Sequence, residues 1–237
     1  MRLALLAAAA TIAATTYIAP AFSQTPSESA AIEEFKRGQA SANAKKNDET
    51  ITIMTAVINE GKLPKEWQPY PYFYRGQAYR RLEKFTDALG DFDKATALKA
   101  DLAPAFFEGG LAYQAQQKYK QSIGQFDKAI KITPDNAEYV YSRCVSKSWA
   151  GDNAGARDDC RRATELKPDY VDAWQTLGRA YEDLGQVEKA EATYKKVLEL
   201  EPGNKEAREG LDYIATCRKP GADCSGTGGA EPKKKGK

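Results

Sequence analysis

The sequence predicts an all-α fold: an α-solenoid of stacked helix–turn–helix pairs, closed at its C-terminal end by a capping helix. Three observations predict it. Aromatic and small residues return in fixed columns, Tyr72, Phe106, Val140 and Trp174 in one, Gly76, Gly110, Cys144 and Gly178 in another. The step between them is about 34 residues, the length of one helical pair. Prolines at Pro134, Pro168 and Pro202 keep the same step, with Ala100 in the earliest copy. Within each copy, apolar residues recur at helical rather than strand spacing on both sides of a short polar turn.

The chain can be taken in order. Residues 1–23 read as a signal peptide: Arg2 gives the positive start and Leu3 to Ala19 the apolar run. Small residues follow at Ala19-Pro20-Ala21 and Ala21-Phe22-Ser23. Cleavage after Ser23 or after Ala21 fits, and Ser23 is taken here. An uncut membrane anchor is the alternative, at the lower length limit for a span, roughly 17 residues. The expectation is export to a bacterial periplasm, where disulfides persist, with no stable membrane span after cleavage. Residues 24–30 are small and polar, a flexible lead-in. Residues 31–68 hold Phe35, Gly38, Thr50, Met54 and Val57 in roughly repeat phase, then a connector with two prolines. This is either a degenerate helical pair or an unrelated capping pair.

Four copies follow at 69–102, 103–136, 137–170 and 171–204, the last being the best formed. Small residues such as Gly76 and Ala88, or Gly178 and Ala190, suit the closest approach of two helix axes. Aromatics such as Tyr79 and Phe92 fill the wider gaps. Residues 205–217 form the cap, with Ala207, Leu211 and Ile214 on one side. Residues 218–237 are a lysine-rich tail with nothing to bury, expected to be mostly disordered.

Trp174, Leu177, Gly178 and Tyr181, then Ala190 and Tyr194, then Pro202, resemble the tetratricopeptide repeat: W-x2-L-G-x2-Y, A-x3-F, P. The resemblance covers residues 69–204. It implies a right-handed superhelix whose first helices line a concave groove for peptides. It implies no covalent chemistry and names no partner.

On those first helices a second face, one residue off the core columns, carries Phe73, Gln77, Arg80 and Arg81. The next copies place there Phe107, Leu111 and Gln114, then Tyr141, Val145 and Ser148, then Gln175, Arg179 and Glu182. Phe73, Phe107 and Tyr141 form an aromatic ladder that suits an extended peptide or amphipathic helix, with Arg80 and Arg81 orienting an acidic group. Packing between adjacent first helices is the competing reading. The basic, asparagine-rich arrangement that grips a C-terminal carboxylate in some members of the family is missing, since Gln77, Leu111 and Val145 stand there. Chaperone-tail binding is therefore not expected.

Cys144 and Cys160 replace glycine and an aromatic in the same divergent copy, where Arg143 and Lys147 occupy usually apolar positions. They are equidistant from the turn Gly151-Asp152-Asn153, so an antiparallel hairpin puts them at one height and a disulfide is reasonable. Such a bridge contributes about 3 kcal/mol in the chain-entropy model. Cys217 and Cys224 flank a Pro220-Gly221 turn and form the expected second bridge. Four cysteines allow three connectivities, and buried thiols are the plainer alternative.

Composition narrows function. The net charge of +2 argues against nucleic acid as partner, and histidine is absent, removing the commonest general base and metal ligand. No cofactor and no metal site are expected. Asp158, Asp159 and Glu165 read as the charged outer face of a helix beside Arg161 and Arg162, not as catalytic acids. The leading expectation is a non-catalytic scaffold or adaptor of the cell envelope that holds a protein or peptide partner. Alternatives are a membrane-surface tether and an accessory subunit of an envelope enzyme. The sequence carries no signal for oligomeric state.

Overall fold

The structure, a computed structural model, describes residues 26–218. The expected signal peptide, the lysine-rich tail and Cys224 lie outside the described residues. Within them the chain is helical and holds no strand. Helices α1 (Pro26–Asn43) and α2 (Asn47–Glu60) make the first pair. Four more pairs follow: α3 (Pro69–Arg81) with α4 (Phe85–Leu98), α5 (Ala103–Ala115) with α6 (Tyr119–Ile132), α7 (Ala137–Trp149) with α8 (Asn153–Leu166), and α9 (Val171–Asp183) with α10 (Val187–Leu200). Helix α11 (Lys205–Cys217) packs on α10 and touches α9, where the first helix of a further pair would stand. This is the α-solenoid expected from the columns.

Helix α1 corrects one expectation. It begins at Pro26, inside the segment 24–30 taken as a flexible lead-in. Proline is tolerated in a first turn, where no N–H is needed, and Glu28 in that turn complements the positive end of the helix dipole.

Local chemistry sets the boundaries. The Asn136 side chain accepts from the N–H groups of Glu138 and Tyr139 and starts α7; Asp152 does the same for α8 and Asn204 for α11. Every turn inside a pair needs one left-handed residue: Lys45, Glu83, Gln117, Gly151 and Gly185, with φ of 57°, 59°, 61°, 83° and 68°. Only the last two copies use glycine there, the residue that adopts this conformation without strain.

The core is a string of small clusters, not one central body. Each joins a pair to the next: Phe73, Ala88 and Phe92 meet Leu102 and Ala105, while Tyr194 and Val197 meet Ala207 and Ile214 of the cap. No pair closes its own apolar surface, so each is held by its neighbours.

Candidate partner-binding face

The first helices α3, α5, α7 and α9 touch in succession, and the face expected to bind a partner lies along that seam. Its aromatic ladder is largely spent on packing. Phe73 is 9% exposed, with its ring 5.2 Å from that of Tyr74 and 6.4 Å from that of Phe92. Phe107 is 8% exposed and stacks 4.6 Å from Tyr139 at the start of the next first helix. These two rings are core residues and do not line an open groove. The stacking is tight enough that an aromatic one residue off the core column reaches the neighbouring helix. Burying it there contributes about 1.5–3 kcal/mol. Tyr141 is half-buried against Tyr170, ring centroids 4.8 Å apart. Burial raises the pKa of its hydroxyl, which a hydrogen bond with Thr176 partly opposes.

The polar members of the face are also used internally. Gln77 donates to Glu108 at 2.7 Å, and Arg80 forms an ion pair with the same buried carboxylate. Arg81 donates to the Ala42 carbonyl at 2.9 Å. Gln114 donates to the Ser146 hydroxyl at 3.1 Å, while Gln175 and Arg179 reach Glu206 of the cap. The acidic group that Arg80 was expected to orient on a partner is thus the protein's own Glu108, supplied by the next first helix.

What remains open is a shorter strip. Leu111 and Val145 hold matching places on α5 and α7 and are partly buried, Leu111 against the Phe107 cluster. Along α7, Tyr141, Val145 and Trp149 follow at intervals of four, one helical face. Trp149 is 45% exposed, and its ring lies nearly parallel to that of Tyr119, centroids 5.8 Å apart. The sequence reading passed over Trp149 by following Ser148 along this face. The four-residue step from Val145 was the available signal.

Behind this strip, the third repeat is locked differently from its neighbours. In three repeats a glycine lies under an aromatic: a Cβ at Gly76 would come within 2.7 Å of the Phe92 ring, and one at Gly178 within 2.6 Å of the Tyr194 ring. Gly110 sits under Phe126 in the same way. At the matching place Cys144 and Cys160 are joined by a disulfide, Cα atoms 5.4 Å apart, both fully buried. Cys217 is also in a disulfide, and Cys224, its expected partner, lies outside the described residues.

Arg143 and Lys147 explain the polar character of this repeat. Arg143 makes a bidentate pair with Asp159 at 2.7 and 2.6 Å, reaches Asp127 of α6 at 2.7 Å, and Lys147 meets Asp159 at 2.8 Å. The hydrogen bond with Asp159 raises the Arg143 pKa further. Asp159 is therefore buried, not part of an outer charged face; Asp158 and Glu165 are exposed, both near Arg161. Arg75 repeats the motif with Asp91, bidentate at 2.8 Å, plus Thr55 of α2. Aligning the columns would have shown these pairs, because each arginine precedes its aspartate by the spacing that separates Cys144 from Cys160. Among the described residues, no group of three or more Cys, Asp or Glu is placed to hold a metal ion.

Comparison with known proteins agrees with this architecture. The tetratricopeptide repeat family model matches residues 150–211. Heat shock protein STI1 of Saccharomyces cerevisiae is 39% identical over 59 residues, which are 25% of this chain and only 10% of that protein's length. Among solved structures, MamA from Desulfovibrio magneticus RS-1 superposes with a TM-score of 0.67 at 18% identity, covering 77% of this chain and 99% of that one. YrrB, described as a TPR protein with an unusual peptide-binding site, gives a TM-score of 0.61 at 22% identity, covering 68% of this chain and 81% of that one. At such identities the structures speak for the fold alone. The tetratricopeptide repeat family is thus supported by the match at residues 150–211, and the fold of the described chain is a tetratricopeptide-repeat solenoid.

Proposed function

We propose that the protein is a non-catalytic interaction scaffold, exported to the bacterial cell envelope, that holds a peptide or helix of a partner protein on its first-helix face. The observation that carries this reading is exposed Trp149, continued along the same face by Val145, Tyr141 and Leu111, which are partly buried and keep an apolar edge at the surface. An exposed tryptophan beside partly buried apolar residues is the kind of anchor point that dominates protein interfaces. The strip replaces the longer ladder expected from the sequence, because Phe73, Phe107 and Arg80 are committed within the chain. Repeat scaffolds of this type join proteins without chemistry of their own. Binding of a chaperone tail is not proposed, since no cluster of basic and asparagine residues stands at Gln77, Leu111 and Val145.

Export rests on the N-terminal sequence, with the first mature residue at Gln24. No helix among the described residues is long and apolar enough to cross a membrane. A photo-crosslinking amino acid at Val145 or Trp149, set against one at exposed Glu165, tests the binding face in cells. Crosslinks concentrated at the first two positions support it, and equal labelling at Glu165 overturns it. N-terminal sequencing tests export: a retained Met1 would favour the tether reading.

A further inference from the structure

The turns inside the four repeats line one edge of the stack, and their charges are sorted along it. Each turn can be taken from the last residue of its first helix to the second residue of its second. Residues 81–86 carry Arg81 and Lys84 against Glu83, and residues 115–120 carry Lys118 and Lys120 with no acid. Residues 149–154 carry Asp152, and residues 183–188 carry Asp183 and Glu188, with no base in either. The edge is thus basic over the first two repeats and acidic over the last two.

These charges are not answered within the chain. Lys84, Lys118, Lys120, Asp152 and Glu188 are exposed, while Arg81 and Asp183 are partly buried. Arg81 donates to a backbone carbonyl, Lys118 to the Gln116 side chain, and Asp152 accepts from the Gly155 N–H. The ion pairs of these repeats lie elsewhere, as at Arg75 with Asp91 and Arg80 with Glu108. Among the described residues none involves the charges of this edge.

The change of sign falls at an aromatic pair. Trp149, at the end of α7, reaches back to Tyr119 at the start of α6, and the two rings stack 5.8 Å apart. Trp149 is 45% exposed. The other large apolar side chain exposed among the described residues, Leu98, stands at the far end of α4, away from the turns.

We propose that the partner met at Trp149 is a second copy of this chain, paired edge to edge about a two-fold axis at the Tyr119–Trp149 stack. The inference rests on the binding-face reading above and names its partner. A two-fold rotation turns the edge end for end, so the basic turns of each copy face the acidic turns of the other. A uniformly acidic or basic partner would be attracted by one half of the edge and repelled by the other. A second copy satisfies both halves at once. The contact has an apolar centre and a charged rim, the usual anatomy of a protein interface.

The test is sedimentation equilibrium of the full exported chain. A reversible dimer is expected at submillimolar concentration, weakened by added salt. Trp149→Ala should weaken it at least about thirtyfold, the loss of an interface anchor. The variant Lys84→Glu, Lys118→Glu, Lys120→Glu should be monomeric, and so should Asp183→Lys, Glu188→Lys, because like charges then meet. Mixed in equal amounts, these two should pair as wild type does, each supplying the charge the other lacks. A photo-crosslinking amino acid at Trp149 should give a covalent dimer, since a residue on the axis meets its own counterpart. The proposal is overturned if the wild-type chain stays monomeric at submillimolar concentration. It also fails if Trp149→Ala dimerises as wild type does, or if the mixed charge variants associate no better than each alone. Crosslinks from Trp149 only to a different protein would sink it and leave the binding-face reading standing; labelling at Trp149 no greater than at Glu165 would sink both.

Discussion

The third and fourth repeats share a backbone plan and differ in what holds their two helices together. In the fourth, Gly178 lets the Tyr194 ring lie directly on α9, and Leu177 beside it is buried and apolar. In the third, Cys144 and Cys160 are bonded covalently and Arg143 with Asp159 takes the neighbouring place. The large ring is gone, and small residues, Ala156 and Ala163, with Val140 are left in the core there. A crosslink and a buried ion pair stand in for it. The difference shows that a repeat column specifies a gap to be closed and leaves the chemistry of closure free. It also places the open strip, Tyr141, Val145 and Trp149, on the repeat that is fastened by a bond instead of by bulk.

Changes that probe this contrast should differ in size. The largest effect is expected from Cys144→Ala with Cys160→Ala, which removes the crosslink and the sulfur atoms filling the gap. About 3 kcal/mol or more should be lost in urea unfolding, from chain entropy alone. Next comes Asp159→Asn, which leaves Arg143 and Lys147 facing a neutral group. A fully buried pair broken in this way costs about 3–5 kcal/mol. Here about 2 kcal/mol is expected, because both cations keep some solvent access and Arg143 keeps Asp127. In the fourth repeat, buried Thr193 occupies the place of Asp159, and Thr193→Ala should cost about 1 kcal/mol or less, the lost methyl group being partly offset by the better helix propensity of alanine.

Gly178→Ala should cost about 1 kcal/mol net, the clash with Tyr194 exceeding the helix-propensity gain. The last effect is absent at neutral pH and emerges only at alkaline pH. Burial, and then the hydrogen bond donated to Glu182 at 2.7 Å, raise the Tyr194 pKa. Unfolded tyrosine ionises near pH 10. Below that pH both states hold the proton and the contribution is intact. Above it the unfolded state loses its proton first, so stability falls as pH rises toward the folded pKa. Tyr194→Phe should remove a slope of at most about 1.4 kcal/mol per pH unit above pH 10. Cys160, its counterpart, is disulfide-bonded and adds no such slope.

The architecture was legible because the solenoid's closest approaches demand small residues at fixed intervals, and Gly76, Gly110 and Gly178 mark them plainly. The face was harder to read. Whether Phe73 points into a groove or into the next helix depends on how closely first helices stack, a distance that a column of residues does not encode. Arg80 misled for a related reason: its partner Glu108 lies on another helix, and a sequence shows charge without showing who answers it. Arg143 was visible as an oddity while Asp159 was read as part of a charged outer face; the spacing they share with Arg75 and Asp91 was the signal that pairs them. Trp149 was simply one residue beyond the position followed.

The most direct measurement transplants the fourth repeat's fastening into the third. The double variant Cys144→Gly, Cys160→Tyr should unfold at a higher urea concentration than Cys144→Ala, Cys160→Ala, recovering a clear part of the lost stability. Cys144→Ala, Cys160→Tyr, which restores the ring but denies it the glycine, should be the least stable of the three. If the glycine–tyrosine pair is no better than the alanine pair, the two fastenings are not interchangeable, and the shared gap is not what the disulfide closes.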